Sequence, residues 1–189
     1  TVMKALLEKY DNYALSVSAT TRSPRPGEEN GEAYFFRTKE EFEQLIREDG
    51  LIEYAQYVEN YYGTPRKYVE EQLSAGKDVI LEIEIQGALN IKKKFPDALL
   101  VFIVPPTAKD LKKRLIGRGT ESAEVIEKRL RRAAEESDGM DSYDYIVVND
   151  DVDTCVEDLH SLIRSSHFKE SANTDLVARM KQELHDMTK

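Results

Sequence analysis

The sequence contains no tryptophan, and its only cysteine is Cys155. A single cysteine cannot form a disulfide within one chain, and metal sites with cysteine ligands need several thiolates. This composition is typical of a protein from a reducing compartment, so we expect a cytoplasmic location. Cys155 falls on the apolar side of a predicted helix, which favours a core thiol over a nucleophile.

Long hydrophobic runs and an excess of positive charge are also missing. No stretch approaches the roughly 20 apolar residues that span a bilayer, and the N-terminus lacks the pattern of a secretion signal. The net charge of −9 opposes extended binding to nucleic acid, which needs a basic surface. We therefore expect neither a membrane nor a nucleic acid as partner, and any bound anion requires a local basic cluster.

Apolar runs alternate with amphipathic helical patterns in the second half of the chain. Segments 78–85, 97–106 and 143–150 are predicted as buried strands, and the segments between them as helices. Strand, helix and strand in this order predict a parallel, doubly wound α/β sheet. The aromatic strands and helices of about 30–77 predict a small α+β insertion.

Polar residues follow several of these strands. Ser18 lies in the first predicted strand, 13–21, and Glu82, Glu84 and Asn149 lie at or near the ends of later strands. Because ligands of doubly wound sheets bind at the carboxyl ends of the strands, we expect these side chains to share a cleft.

A turn-rich loop after the first strand carries Arg22, Arg25 and Tyr34. Two guanidinium groups and a phenol suit a phosphate dianion, since charge-assisted hydrogen bonds are about twice as strong as neutral ones. The alternative is a solvated basic loop, and spacing alone does not separate the two interpretations.

A second group of polar residues runs from Glu53 to Thr64 across two short strands. A carboxylate can accept two N–H bonds from one edge of guanine, whereas adenine presents an acceptor there. The alternative, which composition alone favours, is that Tyr57, Tyr61 and Tyr62 are ordinary sheet aromatics and that Glu53 points to water.

Two acids interrupt the apolar run at 78–85. Glu82 and Glu84 have the same parity on the predicted strand, so both carboxylates should leave one face of the sheet. In phosphate-transferring enzymes, carboxylates that follow an apolar strand commonly coordinate Mg²⁺, directly or through water. Salt bridges to the basic cluster are the alternative.

Arginines concentrate around a glycine-bounded turn. Such side chains can close over a polyphosphate and neutralise charge in the transition state. Pairing with acids one helical turn away is their usual role, and we assign it to Arg131. Arg118 and Arg129 are better candidates for catalysis. We assign no role to the three histidines, which lack metal-ligand spacing.

Five blocks together carry a resemblance to a known family: SVSATTRSPRPGEENGEAYFF, IEYAQYVENYYGTP, VILEIEIQGA, PPTAKDLKKRLIGRGTES and VVNDD. In this order and spacing, the chain resembles the guanylate kinase family over nearly all of residues 1–165. The resemblance implies a P-loop NTPase-like core with a GMP-binding insertion and a helical lid. It also implies transfer of the γ-phosphoryl group of ATP to GMP or dGMP, with Mg²⁺ as cofactor.

The resemblance assigns roles to individual residues. It implies that the GMP phosphate is held by Arg22, Arg25, Tyr34 and Tyr62. It implies that guanine is read by Ser18, Glu53 and Thr64. Glu82 and Glu84 stand where the family usually has Asp, and are implied in GMP binding and in a water-mediated Mg²⁺ contact. Catalysis is assigned to the lid arginines Arg114, Arg118 and Arg129, and ATP binding to Asn149 and Arg118.

The family's phosphate loop, G-x-x-x-x-G-K-[ST], is not found in the sequence. The resemblance places it immediately before or at Thr1, so we expect a longer parent sequence. Taken literally, the 189 residues should bind GMP and transfer phosphoryl groups poorly. A scaffold module that binds phosphopeptides or proteins through the GMP site is the rival interpretation. A kinase for another nucleotide is a third, and it would lack a reader such as Glu53.

The expected organisation is a guanylate kinase-like domain at 1–165 followed by a helical extension at 166–189. Within the domain, 16–77 contains the insertion at about 30–77, and the lid spans about 114–138. We expect a monomer or a homodimer.

Overall fold

A computed structural model describes residues 1–57, 59–117 and 123–188. The helices in this part of the chain are α1 Val2–Lys9, α2 Lys39–Arg47, α3 Arg66–Ser74, α4 Ile85–Lys94, α5 Ala108–Gly117, α6 Ala123–Ser137, α7 Val152–Ser166 and α8 Thr174–Asp186. The strands are β1 Tyr13–Leu15, β2 Ala19–Thr20, β3 Phe35–Phe36, β4 Leu51–Tyr57, β5 Asn60–Pro65, β6 Asp78–Ile80, β7 Val101–Val104 and β8 Tyr145–Val148. No helix among the described residues has the length and apolar character needed to cross a membrane.

The chain divides into two compact units. The first, Met3–Pro96, contains a parallel pair of β1 and β6 and a four-stranded sheet in the order β3-β2-β5-β4. The second, Thr1–Val2 with Asp97–Lys189, contains a parallel pair of β7 and β8 that contacts α7. This mixed α/β architecture with parallel strand pairs confirms the predicted fold class.

All four strands predicted above differ from the observed ones. The strand predicted at 97–106 is limited to Val101–Val104, and its residues are half-buried. The strand predicted at 13–21 divides, because β1 pairs with β6 while β2 pairs with β3 and β5. The strand predicted at 78–85 ends at Ile80, since its partner β1 supplies only three residues. The strand predicted at 143–150 is not fully buried, because Ile146 and Val148 of β8 are 48% and 50% exposed.

The four-stranded sheet has its own small core. Phe42 of α2 is fully buried, and its ring stacks on Tyr61 of β5 with centroids 5.3 Å apart. A capping box fixes where α2 begins, because the Thr38 hydroxyl accepts from the Glu41 N–H while the Glu41 carboxylate accepts from the Thr38 N–H. The helix is thereby held with Phe42 facing the sheet.

Replacing Phe42 with alanine should destabilise the protein by about 3–5 kcal/mol, because the ring is deleted from a fully packed site. Phe168, which is 77% exposed, is the matched control, and Phe168→Ala should change stability by less than about 0.5 kcal/mol. Urea denaturation of both variants measures the difference. Equal losses would show that the ring of Phe42 does not anchor α2.

Candidate functional site

The guanidinium group of Arg22 is held on several sides. Its Nη1 and Nη2 donate to the two carboxylate oxygens of Glu28 at 2.9 and 3.0 Å, and Nη1 also donates to the Ser23 carbonyl at 2.8 Å. The rings of Tyr34 and Phe36 lie 5.2 and 5.6 Å from the guanidinium carbon. These contacts fix the plane of a group that would otherwise rotate freely on a long side chain.

Glu28 is a site residue that the sequence interpretation missed. Besides binding Arg22, its carboxylate accepts a hydrogen bond from the Arg25 backbone N–H at 2.7 Å. Hydrogen bonds from Arg22, followed by the bond from Arg25, lower the pKa of Glu28, and hydrogen bonding to Glu28 raises the pKa of Arg22. The signal was an acid three residues after Arg25 in a turn, where Gly27 adopts a φ of +84°.

Two tyrosines complete this cluster. The rings of Tyr34 and Tyr62 meet edge to face with centroids 6.0 Å apart, and hydrogen bonding to Tyr62 adds to the effects that raise the pKa of Arg22. Burial raises the pKa of Tyr34, while the nearby charges of Arg22 and Arg25 oppose that shift. The structure therefore places Tyr34 and Tyr62 beside Arg22, and Arg25 lies near enough for its charge to act on Tyr34 and Glu28. We call Arg22, Arg25, Tyr34 and Tyr62 the cationic cluster.

Glu53 of β4 is a buried acid, with only 3% of its surface exposed. Its Oε1 accepts a hydrogen bond at 2.8 Å from the hydroxyl of Thr64, which lies opposite it on β5. Burial raises the pKa of Glu53, and Thr64 and the charge of Lys94 partly offset that shift. Glu53 therefore does not point to water, and the alternative interpretation is wrong on this point.

β5 connects the cationic cluster to Glu53. Tyr62 and Thr64 are two residues apart on this strand, so their side chains leave the same face roughly 7 Å apart. Between them, Gly63 allows close approach of β4, because a side chain there would meet the Glu53 carbonyl oxygen at 2.9 Å. Tyr61 points to the other face and packs on Phe42, so the predicted role as a sheet aromatic is correct for Tyr61.

The remaining candidates of this unit lie on the segments that follow β1 and β6. The backbone carbonyl of Ser18, in the link between β1 and β2, accepts from the Phe35 N–H at 2.9 Å. Glu82 and Glu84 are exposed and follow β6 rather than lying on it, and Glu84 is the N-cap residue of α4. Shared strand parity therefore does not explain where these two carboxylates point.

Comparison with known proteins identifies the family of the chain. A family model described as guanylate kinase covers residues 1–166. A guanylate kinase of Oceanobacillus iheyensis is 53% identical over 169 residues, which are 89% of this chain and 82% of that protein. A guanylate kinase of Caldanaerobacter subterraneus subsp. tengcongensis is 46% identical over 183 residues, covering 97% and 89% of the two chains. The chain belongs to the guanylate kinase family.

A solved structure agrees in fold. The crystal structure of guanylate kinase from Anaplasma phagocytophilum aligns with a TM-score of 0.74 at 33% identity, covering 89% of this chain and 81% of that one. The α/β core expected of a guanylate kinase-family chain is therefore present.

The second unit carries the other candidates expected in a guanylate kinase. Arg114 of α5 donates to the Asp150 carbonyl at 3.3 Å, next to Asn149, whose N–H donates to Val104 at 2.7 Å. Arg129 is half-buried on α6, and Arg118 lies outside the described residues. The salt bridge predicted for Arg131 is confirmed, because its guanidinium lies 3.2 Å from Glu127 one turn earlier.

Replacing Glu53 with glutamine should raise the stability of the protein at neutral pH. The folded-state pKa of Glu53 is raised, so the stabilising effect of the protonated carboxyl is complete below the unfolded pKa, near 4.3, and is lost as pH rises through the folded value. Glutamine carries no charge and can still accept from Thr64. The melting temperature of Glu53→Gln should therefore exceed that of the parent at pH 7, and the gap should narrow towards pH 4.

The matched control is Glu32→Gln, since Glu32 is exposed. Its melting temperature should follow the parent at every pH. If the difference in melting temperature between the parent and Glu53→Gln did not change with pH, the result would contradict the burial of a charged carboxylate.

Proposed function

We propose that the protein phosphorylates GMP to GDP, and dGMP to dGDP, with ATP as the phosphoryl donor. The observation that carries this proposal is the spacing along β5, with the cationic cluster at Tyr62 and the buried Glu53 at Thr64. A ligand that spans these two points needs an anion at one end and a hydrogen-bond donor edge at the other. A guanine nucleotide has both.

The cationic cluster would bind the GMP phosphate. Arg22 and Arg25 supply two guanidinium groups, of which that of Arg22 is paired with Glu28, and the tyrosine hydroxyls supply donors for the phosphate oxygens. Because Glu28, Ser23 and two aromatic rings already hold Arg22, little further ordering of its side chain is needed when the phosphate arrives. The overall charge of −9 makes this local cluster the source of anion affinity.

Glu53 would read the base. In its ionised form it can accept from N1–H and from the 2-amino group of guanine, whereas N1 of adenine would face a carboxylate without a proton between them. A site built for these hydrogen bonds rejects a ligand that lacks them, because the carboxylate would stay buried without its partners. Ser18 and Thr64 would support this contact, and Thr64 already orients the carboxylate.

The ATP side of the reaction would fall to the other candidates. Arg114, Arg118 and Arg129 would neutralise charge on the transferring phosphoryl group, and Asn149 would lie near adenine. Positioning and electrostatics would carry the catalysis, with no covalent intermediate on the protein.

Mg²⁺ would be shared with the nucleotide phosphates. No group of three or more potential ligand side chains forms within the described residues, which suits an ion that takes one or two carboxylates and several waters. Glu84, exposed at the start of α4, is the candidate for a water-mediated contact, with Glu82 on the GMP side. The ion would neutralise phosphate charge.

We also propose the organisation expected from the sequence. A GMP-binding insertion at about 30–77 would lie within a domain of 1–165, with a lid at about 114–138 and an extension at 166–189. The protein would act in the cytoplasm as a monomer or homodimer.

Calorimetric titration tests the binding part of this proposal. Arg22→Lys should weaken GMP binding by about 10-fold or more, because a lysine cannot both pair with Glu28 in a bidentate contact and keep further N–H donors for the phosphate. Guanosine has no phosphate, so its affinity should not change. Arg47→Lys is the matched control, since Arg47 is exposed at the end of α2. An equal effect of Arg22→Lys on GMP and guanosine would argue against a phosphate contact.

Base selectivity and turnover are tested separately. The parent should bind GMP far more tightly than AMP, and Glu53→Gln should weaken GMP binding by about 1–3 kcal/mol. ADP formation from ATP and Mg²⁺ should depend on added GMP and not on AMP. Equal titration of AMP and GMP would remove the base-reading role of Glu53.

A further inference from the structure

Gly87 occupies a place where a side chain would collide with Glu53. Gly87 is the third residue of α4 and is buried. A Cβ built on it would lie 2.8 Å from Oε2 of Glu53 and 3.3 Å from the carboxyl carbon. The first distance is shorter than ordinary contact between carbon and oxygen, so a side chain at position 87 and the observed Glu53 carboxylate exclude each other.

Helix geometry does not explain the glycine. Gly87 has an ordinary helical backbone, and glycine inside a helix costs about 1 kcal/mol relative to alanine. The neighbouring Ala88 is equally buried and does carry a methyl group. The feature that distinguishes position 87 is the carboxylate packed against it.

The Glu53 carboxylate has little room to yield. It is 3% exposed, and its Oε1 is fixed by the 2.8 Å hydrogen bond from Thr64. A methyl group at position 87 would push Oε2 aside, and the carboxylate would have to turn about its last bond or lose the Thr64 contact. Either movement changes the direction in which its oxygens accept hydrogen bonds.

We infer that Gly87 is a specificity-determining residue, which by lacking a side chain sets the orientation of the Glu53 carboxylate that reads the purine. This inference rests on the proposed binding of GMP. Gly87 acts through Glu53 and is therefore a positioning residue. Its largest effect should be on the hydrogen bond from the 2-amino group of guanine. That bond forms beside the one from N1–H only when both carboxylate oxygens are correctly directed.

The experiment measures the affinities of GMP, IMP and AMP by calorimetry. IMP keeps the N1–H of guanine but lacks the 2-amino group, so the ratio of GMP to IMP affinity reports the second hydrogen bond. In Gly87→Ala we expect GMP affinity to fall by about 10-fold, the GMP to IMP ratio to approach one, and AMP affinity to stay the same. Gln86→Ala, an exposed neighbour on the same helix, should preserve the parent ratio.

A second substitution separates this role from a general disturbance of α4. Glu53→Asp withdraws the carboxylate by one methylene, so the added methyl group at position 87 meets no oxygen. The double variant Glu53→Asp with Gly87→Ala should then match Glu53→Asp alone in nucleotide affinity and in stability. If Gly87→Ala proves unstable, recovery of stability in the double variant supports the inference, and equal instability overturns it.

The outcomes distinguish the inference from the function on which it rests. A parent protein that binds AMP as tightly as GMP contradicts the proposed function. A parent that prefers GMP, together with a Gly87→Ala variant that keeps the parent ratio of GMP to IMP, overturns the role of Gly87 alone.

Discussion

A carboxylate buried between a strand pair and a helix constrains the unit Met3–Pro96. Glu53 can stay in this position only because Thr64 donates to one of its oxygens and because the packed elements leave room for the other. Burial still raises its pKa, so the site holds an acid that is costly to ionise. The glycines at 63 and 87 are consequences of the same requirement, since each allows close approach to Glu53 or to its backbone.

The cationic cluster meets a different requirement in a chain with a net charge of −9. Within the cluster, Arg22 is oriented by Glu28, whose carboxylate also accepts from the Arg25 N–H and so closes the turn. The Arg22–Glu28 pair therefore fixes the position of a guanidinium group within a short hydrogen-bonded loop. An isolated surface salt bridge contributes little to stability, and this one is better understood as a means of orienting Arg22.

Much of this arrangement follows from local sequence patterns. The alternation of apolar runs and amphipathic helices predicted the α/β class, and the turn-rich loop after the first strand offered Arg22 and Tyr34 as candidates without showing that they lie together. What the patterns could not predict depends on contacts between distant segments. The alternation of apolar and small polar residues at 13–21 shows no break where the chain passes from β1 to β2, so the sequence does not reveal that the two strands have different partners.

The same limit applies to single residues. Tyr61 and Tyr62 are adjacent and chemically identical, yet one packs on Phe42 and the other joins the site, a difference set by strand parity in β5. Gly87 and Glu53 lie 34 positions apart in the chain (87 minus 53), so no local motif reveals that one makes space for the other. Such pairs become visible only when the packing of α4 on β4 is known.

The division of the first strand has a mechanical consequence. Residues 16–18 are the shorter of two links between the parallel pair and the four-stranded sheet, the other being α3 between β5 and β6, and three residues reach about 10 Å even when fully stretched. Arg22 follows the second strand at once, and its N–H is tied to the Thr20 hydroxyl at 3.2 Å. A tilt of the parallel pair against the four-stranded sheet would therefore displace Thr20 and, through this hydrogen bond, the backbone of Arg22.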